Sequence, residues 1–173
     1  MEKLLALLSE NARLTPAQLA AMLDTTQEKV NEAIEQYEKQ GVIKGYRALI
    51  DWEKVDQNKV TALIELKVVP KPDRGFDEVA DRVMSFDEVE SVYLMSGGYD
   101  LAVIVHGKSM QEVALFVMNR LAALDSVVST ATHFILTRYK DGGVVLHSGE
   151  DKDQRTGCVW SVSYTHLRAH ETR

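Results

Sequence analysis

The segment Val92-Tyr-Leu-Met-Ser-Gly-Gly-Tyr-Asp-Leu-Ala-Val-Ile-Val105 constrains the fold more than any other stretch of the chain. Two apolar runs rich in β-branched and aromatic residues flank Gly97-Gly98. In that setting a Gly-Gly pair predicts a tight β-hairpin, because glycine enters positive φ without steric cost. The turn also has chemistry available. Glycines leave backbone amides uncovered, so a carboxylate can approach them, and Asp100, just past the turn, can hold a cation. Amides beside a carboxylate complement the two ends of a free amino acid. Turn chemistry alone accounts for most such pairs, with Asp100 merely satisfying the turn.

Upstream, Leu4, Leu5, Leu7 and Leu8 recur at helical spacing and predict a short amphipathic helix over 2–12. Thr15-Pro16 supplies an N-cap and an N1 proline for a second helix with Leu19, Ala20, Met22 and Leu23 on its buried side. Asp24-Thr25-Thr26 breaks the pattern, and Thr26 caps a third helix with Val30, Ala33, Ile34 and Tyr37 on one face, ending at Gly41 as C′ residue. Three short helices with a tight turn between the second and third outline a helix-turn-helix. A generic three-helix bundle making protein contacts has the same pattern.

The charge on the third helix works against nucleic acid. Opposite Val30 and Ile34 stand Glu28, Glu32 and Glu35, and Glu38 adds a fourth carboxylate against Lys29 and Lys39. Each unpaired carboxylate near phosphate is repelled. Gln27, Lys29 and Asn31, with the Thr25 and Thr26 hydroxyls, remain able to touch DNA, and Lys44, Tyr46 and Arg47 follow the helix within reach of the backbone. DNA binding is expected to be weak per subunit.

Gly45 to Asp51 reads as a short strand, and the polar run from Asp51 to Lys59 reads as a connection. From Val60 the period becomes two, with Val60, Ala62, Ile64, Leu66 and Val68 on one face. Pro70 and Pro72 stop that strand. Phe76, Val79, Ala80 and Val83 mark a helix over about 75–85. Met110, Val113, Ala114, Val117, Met118 and Leu121 mark another, capped by Ser109, and Val127 to Tyr139 reads as a last long strand. The order β-α-β-β-α-β predicts an antiparallel sheet with two helices on one face. The other face would carry Thr61, Leu63, Tyr93, Met95, Ala102 and Ile104, or their alternates, and is too apolar to leave in water. It reads as a homodimerisation surface or a ligand floor.

These features resemble the Lrp/AsnC family of transcriptional regulators over about residues 2–140. Its marks are Gly41-Val-Ile-Lys-Gly-Tyr46, Gly98-Tyr-Asp-Leu101 and Ser129-Thr-Ala-Thr132. The resemblance implies an α+β protein, with an N-terminal three-helix helix-turn-helix domain (1–44) and a linker strand and connection (45–59). A ferredoxin-like βαββαβ domain (60–140) follows, which senses ligand and dimerises. In that family dimers often join into octamers, and amino-acid effectors sit between subunits. The matching positions are the loop Ser96, Gly97, Gly98, Tyr99 and Asp100, and Thr130 and Thr132 on the last strand. The loop amides would hold the carboxylate, Asp100 the ammonium, and the threonines the remaining polar contacts, with Met95 and Leu101 suited to an apolar side chain.

Other classes fit less well. With 45% hydrophobic and 27% charged residues the chain reads as a globular protein. No apolar run reaches the roughly 20 residues of a membrane helix, and the start lacks a secretory signal. A lone cysteine, Cys158, excludes an internal disulfide and points to the cytoplasm. The net charge of −6 argues against a strongly basic nucleic-acid binder. Asp100 near His106 or His133 raises acid–base catalysis, yet no nucleophile triad, metal-spaced set or phosphate-binding glycine motif accompanies it. Neither cofactor nor metal is expected. A ligand-binding oligomer acting on protein partners is the alternative that the acidic third helix favours. Residues 141–173 read as a polar, disordered tail. Its end resembles translated sequencing adapter, which places the native terminus near Cys158 and makes the i, i+4 pair His166 and His170 an artefact rather than a metal site.

Overall fold

The computed structural model describes residues 2–55, 58–70 and 75–147. Pro72 and the tail from residue 148 onward, with Cys158, His166 and His170, lie outside the described residues. The chain divides into two compact units, Met1–Gln57 and Asn58–Arg173.

The first unit holds helices α1 (Glu2–Glu10), α2 (Pro16–Met22) and α3 (Gln27–Lys39). Local capping fixes where α2 and α3 begin. Thr15 Oγ1 accepts from the Gln18 amide, and the Gln18 side chain accepts in return from the Thr15 amide at 2.9 Å, with Pro16 opening the helix. Thr26 Oγ1 accepts from the Lys29 amide at 3.4 Å. Between the two helices Asp24 takes φ +51°, a left-handed conformation that aspartate tolerates better than most residues. The Thr25 amide closes that turn on Ala20 O at 3.0 Å. After α3, Gly41 turns the chain at φ +68°.

Leu4, Leu19, Ala20 and Val30 are buried, with Leu8, Leu14, Leu23, Ile34 and Tyr37 packed around them. Met22, expected inside, is 58% exposed; it sits about 100° round the helix from the centre of the Leu19–Ala20–Leu23 stripe. Residues 45–51 do not form the predicted strand. Among the described residues no sheet ladder includes this segment, and an extended segment outside a ladder is not a strand; Trp52–Lys54 follow as a single 3₁₀ turn.

The second unit is a sheet of β1 (Val60–Val68), β2 (Val89–Leu94), β3 (Leu101–Gly107) and β4 (Val127–Phe134), ordered β2-β3-β1-β4 with every neighbour antiparallel. Helices α4 (Asp77–Met84) and α5 (Met110–Phe116) cover one face, and α5 runs on into a wider π-type turn, Val117–Leu121. Beneath them lie Ala62, Ile64, Leu66 and Val68 of β1, Leu101, Val103 and Val105 of β3, and Val83, Val113 and Leu121 of the helices. Ser109 caps α5 as predicted, accepting from the Glu112 amide at 3.1 Å. A side chain at Gly107 would meet Val113 Cγ2 at 2.8 Å, so glycine there lets α5 lie close on the end of β3. Met110, Ala114 and Met118, expected in the buried stripe, are exposed. Phe116 takes the sheet-side position instead and packs edge-on against Phe86 at 5.6 Å.

Two further expectations are corrected. β4 ends at Phe134 rather than Tyr139, because its last ladder bond, Ile135 N to Thr61 O at 2.9 Å, falls where β1 begins. Beyond it, residues 140–145 form a hairpin, β5 (Lys140–Asp141) with β6 (Val144–Val145), where the sequence suggested the start of a disordered tail. Gly142 and Gly143, at φ +51° and +85°, make its two-residue turn, so the positive-φ pair lies here and not at Gly97-Gly98.

Candidate functional site

Strand β2 stops at Leu94 and β3 starts at Leu101, so the expected tight turn is a longer loop. Met95 N donates to Asp100 O at 2.8 Å and closes it, leaving Ser96 to Tyr99 as its tip. Neither Gly97 nor Gly98 has positive φ, and nothing stands within 4 Å of where a side chain on either would begin. Their backbone is therefore approachable. Half-buried Asp100 is tied to the end of β1: its amide donates to Leu66 O at 2.9 Å, and its Oδ2 accepts from the Val68 amide at 2.8 Å. Lys67 reaches the same loop, Nζ donating to Gly98 O at 3.4 Å.

Thr130 and Thr132 stand apart from this loop within one subunit. They pair with Leu66 and Ile64 across β1, on the helix-covered side, while Leu66 pairs on its other edge with Leu101. Two strand spacings, roughly 10 Å, separate the β3 and β4 backbones there. Ser129, opposite Lys67, shares the open face with it. Sequence reasoning missed Lys67, and it has Ser129 only as part of the Ser129-Thr-Ala-Thr132 family mark. Lys67 lies 31 residues from Gly98, and no local signal couples the two.

At the far end of the open face a polar chain crosses the strands. Arg138 Nη2 donates to Thr61 Oγ1 at 2.9 Å, Thr61 Oγ1 lies 3.1 Å from His106 Nδ1, and His106 Nε2 lies 2.6 Å from Glu90 Oε2. Burial holds His106 below the usual imidazole range; Lys59 and Arg138 push the same way, against the pull of Glu90. His106 lies six residues along β3 from Asp100, roughly 20 Å, and His133 pairs instead with Glu65 at 3.4 Å. The geometry does not assemble an Asp100–His acid–base pair. A concavity of about 470 Å³ between α4 and the loop before β4, with Val79, Arg82 and Leu124 in its walls, shares no residue with the Ser96–Asp100 loop.

In the first unit the candidate DNA residues Thr25, Thr26, Gln27, Lys29 and Asn31 surround the start of α3, and Lys44 and Arg47 follow its end. Thr25, Gln27, Lys29 and Asn31 are exposed. The Thr26 hydroxyl is engaged as the cap. Gln27 and Asn31, four apart, share one flank of the helix, and Lys29 lies on the other. Two of the four carboxylates are offset: Lys39 pairs with Glu35 at 3.5 Å, and the Tyr46 hydroxyl donates to Glu38 Oε1 at 3.0 Å. Backbone amide and Thr26 hydroxyl hydrogen bonds hold the Glu28 carboxyl below its ordinary range. Lys44 folds its ammonium over Gly41, 2.9 Å from where a side chain there would begin, at the helix end that favours a cation. Arg47 is exposed and engaged in an interaction of its own.

A helix-turn-helix unit followed by a split βαβ sheet with an approachable loop at its end is the arrangement of a DNA-binding regulator with a ligand-binding domain. Comparison with known proteins agrees. The winged helix-turn-helix DNA-binding family matches residues 2–44, and the Lrp/AsnC ligand binding domain matches residues 61–145. The HTH-type transcriptional regulator YugG of Bacillus subtilis strain 168 is 51% identical over 150 residues, covering 86% of this chain and 90% of that protein. LrpA of Pyrococcus abyssi is 28% identical over 79% of this chain and 94% of its own length. Among solved structures, the regulator NMB0573 of Neisseria meningitidis in complex with L-Met aligns with TM-score 0.67 at 25% identity, over 80% of this chain and 89% of that one. E. coli AsnC aligns with TM-score 0.62 at 24% identity, over 78% and 89%.

The chain belongs to the Lrp/AsnC family of transcriptional regulators. It is a DNA-binding transcriptional regulator with a ligand-binding domain, and the family is not one of enzymes. Among the described residues no helix is long and apolar enough to cross a membrane.

Proposed function

We propose that this regulator acts in the cytoplasm as a homo-oligomer whose DNA binding responds to a free amino acid with an apolar side chain. The effector's carboxylate meets the amides of Ser96 to Tyr99 and its ammonium meets Asp100, with Met95 and Leu101 beside its side chain. The observation that carries this reading is the open space over Gly97 and Gly98 next to a carboxylate anchored by the Val68 amide. The L-Met complex of the Neisseria relative supports an apolar effector. Because β1 separates Thr130 and Thr132 from the loop, an effector touching both takes one of them from a second copy. The patch Leu63, Ala102, Ile104 and Tyr93 on the open sheet face supports pairing of copies as dimers, from which octamers can be built.

On DNA, Thr25, Gln27 and Asn31 read bases while Lys29, Lys44 and Arg47 hold the backbone. If about three cations per subunit meet phosphate, a dimer neutralises about six, and log K falls with log salt at a slope of about −5. Each subunit alone binds weakly, and the oligomer gains by effective concentration. Thermal-shift screening of the full chain against the twenty amino acids, followed by footprinting at low salt with and without each hit, tests the proposal. A stabilising apolar amino acid that alters the footprint is the expected result; no shift with any amino acid would overturn the effector assignment.

A further inference from the structure

The segment after α3 is folded back on that helix. Gly41 N donates to Glu38 O at 3.0 Å, and the Val42 and Ile43 amides both donate to Tyr37 O, at 2.9 and 3.2 Å. Three residues on, Tyr46 reaches back eight positions and its hydroxyl donates to Glu38 Oε1 at 3.0 Å. Glu38 lies seven residues, two helical turns, beyond Asn31 and therefore on the flank that carries Gln27 and Asn31. The two cations Lys44 and Arg47 straddle Tyr46 in sequence.

We infer that Tyr46 is a positioning residue for DNA binding: its bond to Glu38 holds the Lys44–Arg47 segment on the base-reading flank of α3. The bond acts twice. It fixes where the two cations stand relative to Gln27 and Asn31, so that phosphate and base contacts are made in one register. It also directs an O–H dipole at one of the carboxylates that would otherwise repel phosphate. The inference rests on α3 being the DNA-contacting helix, as proposed above.

Two measurements on the full-length protein test the clamp and the DNA reading separately. Amide hydrogen exchange without DNA should rise over residues 43–47 in Tyr46→Phe, with α1 to α3 unchanged. Unchanged exchange in that segment would overturn the clamp whatever the DNA result. Affinity for a random-sequence duplex pool, titrated with salt, should fall about three- to tenfold in Tyr46→Phe, with the salt slope shallower by about one to two per dimer as phosphate contacts loosen. Glu38→Gln keeps an acceptor for the hydroxyl while removing the charge, and should bind more tightly at an unchanged or steeper slope. Weaker binding in Tyr46→Phe at an unaltered slope would reduce Tyr46 to a stabilising contact and overturn the positioning role. Absence of any complex from the wild type, with the exchange difference present, would leave the clamp standing and refute α3 as the DNA-contacting helix, and the positioning role with it.

Discussion

The two units are built on opposite terms. In the first, four buried side chains form the core among the described residues, and local signals set the helix boundaries: the Thr15–Gln18 box, the Thr26 cap, Asp24 and Gly41. In the second, the fourteen buried core side chains among the described residues come from strands and helices far apart in sequence, and ladder registry decides which face each strand residue occupies. The candidate DNA residues sit beside local signals. The candidate effector residues depend on long-range pairing. The first unit therefore has less buried apolar surface holding it together than the second.

That contrast can be broken most severely at Leu19. Leu19→Ala removes a fully buried side chain from a four-residue core, at a cost of about 2–5 kcal/mol. We expect loss of DNA binding and of helical signal by circular dichroism, with the dimer retained by light scattering. DNA binding that survives would show the first core to be less critical than its size implies.

Next in size is the open sheet face. Leu63→Lys places a charge opposite Ile104, where a partner sheet would leave it buried and unpaired. Sedimentation should show a folded monomer at micromolar concentration. A dimer of undiminished strength would move the interface elsewhere.

Asp100 separates frame from function. Asp100→Ala deletes the acceptor for the Val68 amide and should cost about 1–3 kcal/mol of stability. Asp100→Asn keeps an acceptor and removes only the charge. Calorimetry with methionine should then show at least about a tenfold loss of affinity at nearly native stability, as expected for removal of a charge-assisted bond. Equal affinity in Asp100→Asn would confine Asp100 to its structural bond.

A smaller effect is expected from pH at His106. Its folded-state pKa is depressed, chiefly by burial, so the unfolded chain takes up a proton more readily. The neutral ring's contribution is complete above about pH 6.5, the ordinary imidazole value. It is lost as pH falls through the folded-state value. The melting temperature of the wild type should drop on acidification by more than that of His106→Asn, and parallel curves for the two would remove His106 from the account.

The smallest effect belongs to α3. Glu28→Gln with Glu32→Gln should strengthen binding to all duplexes by a few-fold at low salt, with unchanged sequence preference, since exposed charges are screened. An altered preference, read by footprinting, would show these carboxylates to be touching bases.

Much of the first unit was legible from residues in order, because capping and glycine chemistry act within a few positions. The exceptions were Met22 and the segment 45–51, where helix phase and the lack of a pairing partner decided. In the second unit, alternation in β1 and the order of elements identified the split βαβ sheet. Alternation cannot say where a strand loses its neighbour, so β4 was read five residues too long and the 140–145 hairpin went unseen. The sequence by itself determined three helices with the caps of the second and third, a βαββαβ order and a glycine-bearing connection before Asp100, though not its length, all consequences of local conformational preference and hydrophobic period. Only the tertiary structure decided that Asp100 is held by Val68, that Lys67 reaches Gly98, that Thr130 and Thr132 lie across β1 from the loop, and that Tyr46 returns to Glu38. Each of these joins groups 8 or more residues apart, and their meeting depends on the packing of whole elements rather than on anything the intervening residues prefer.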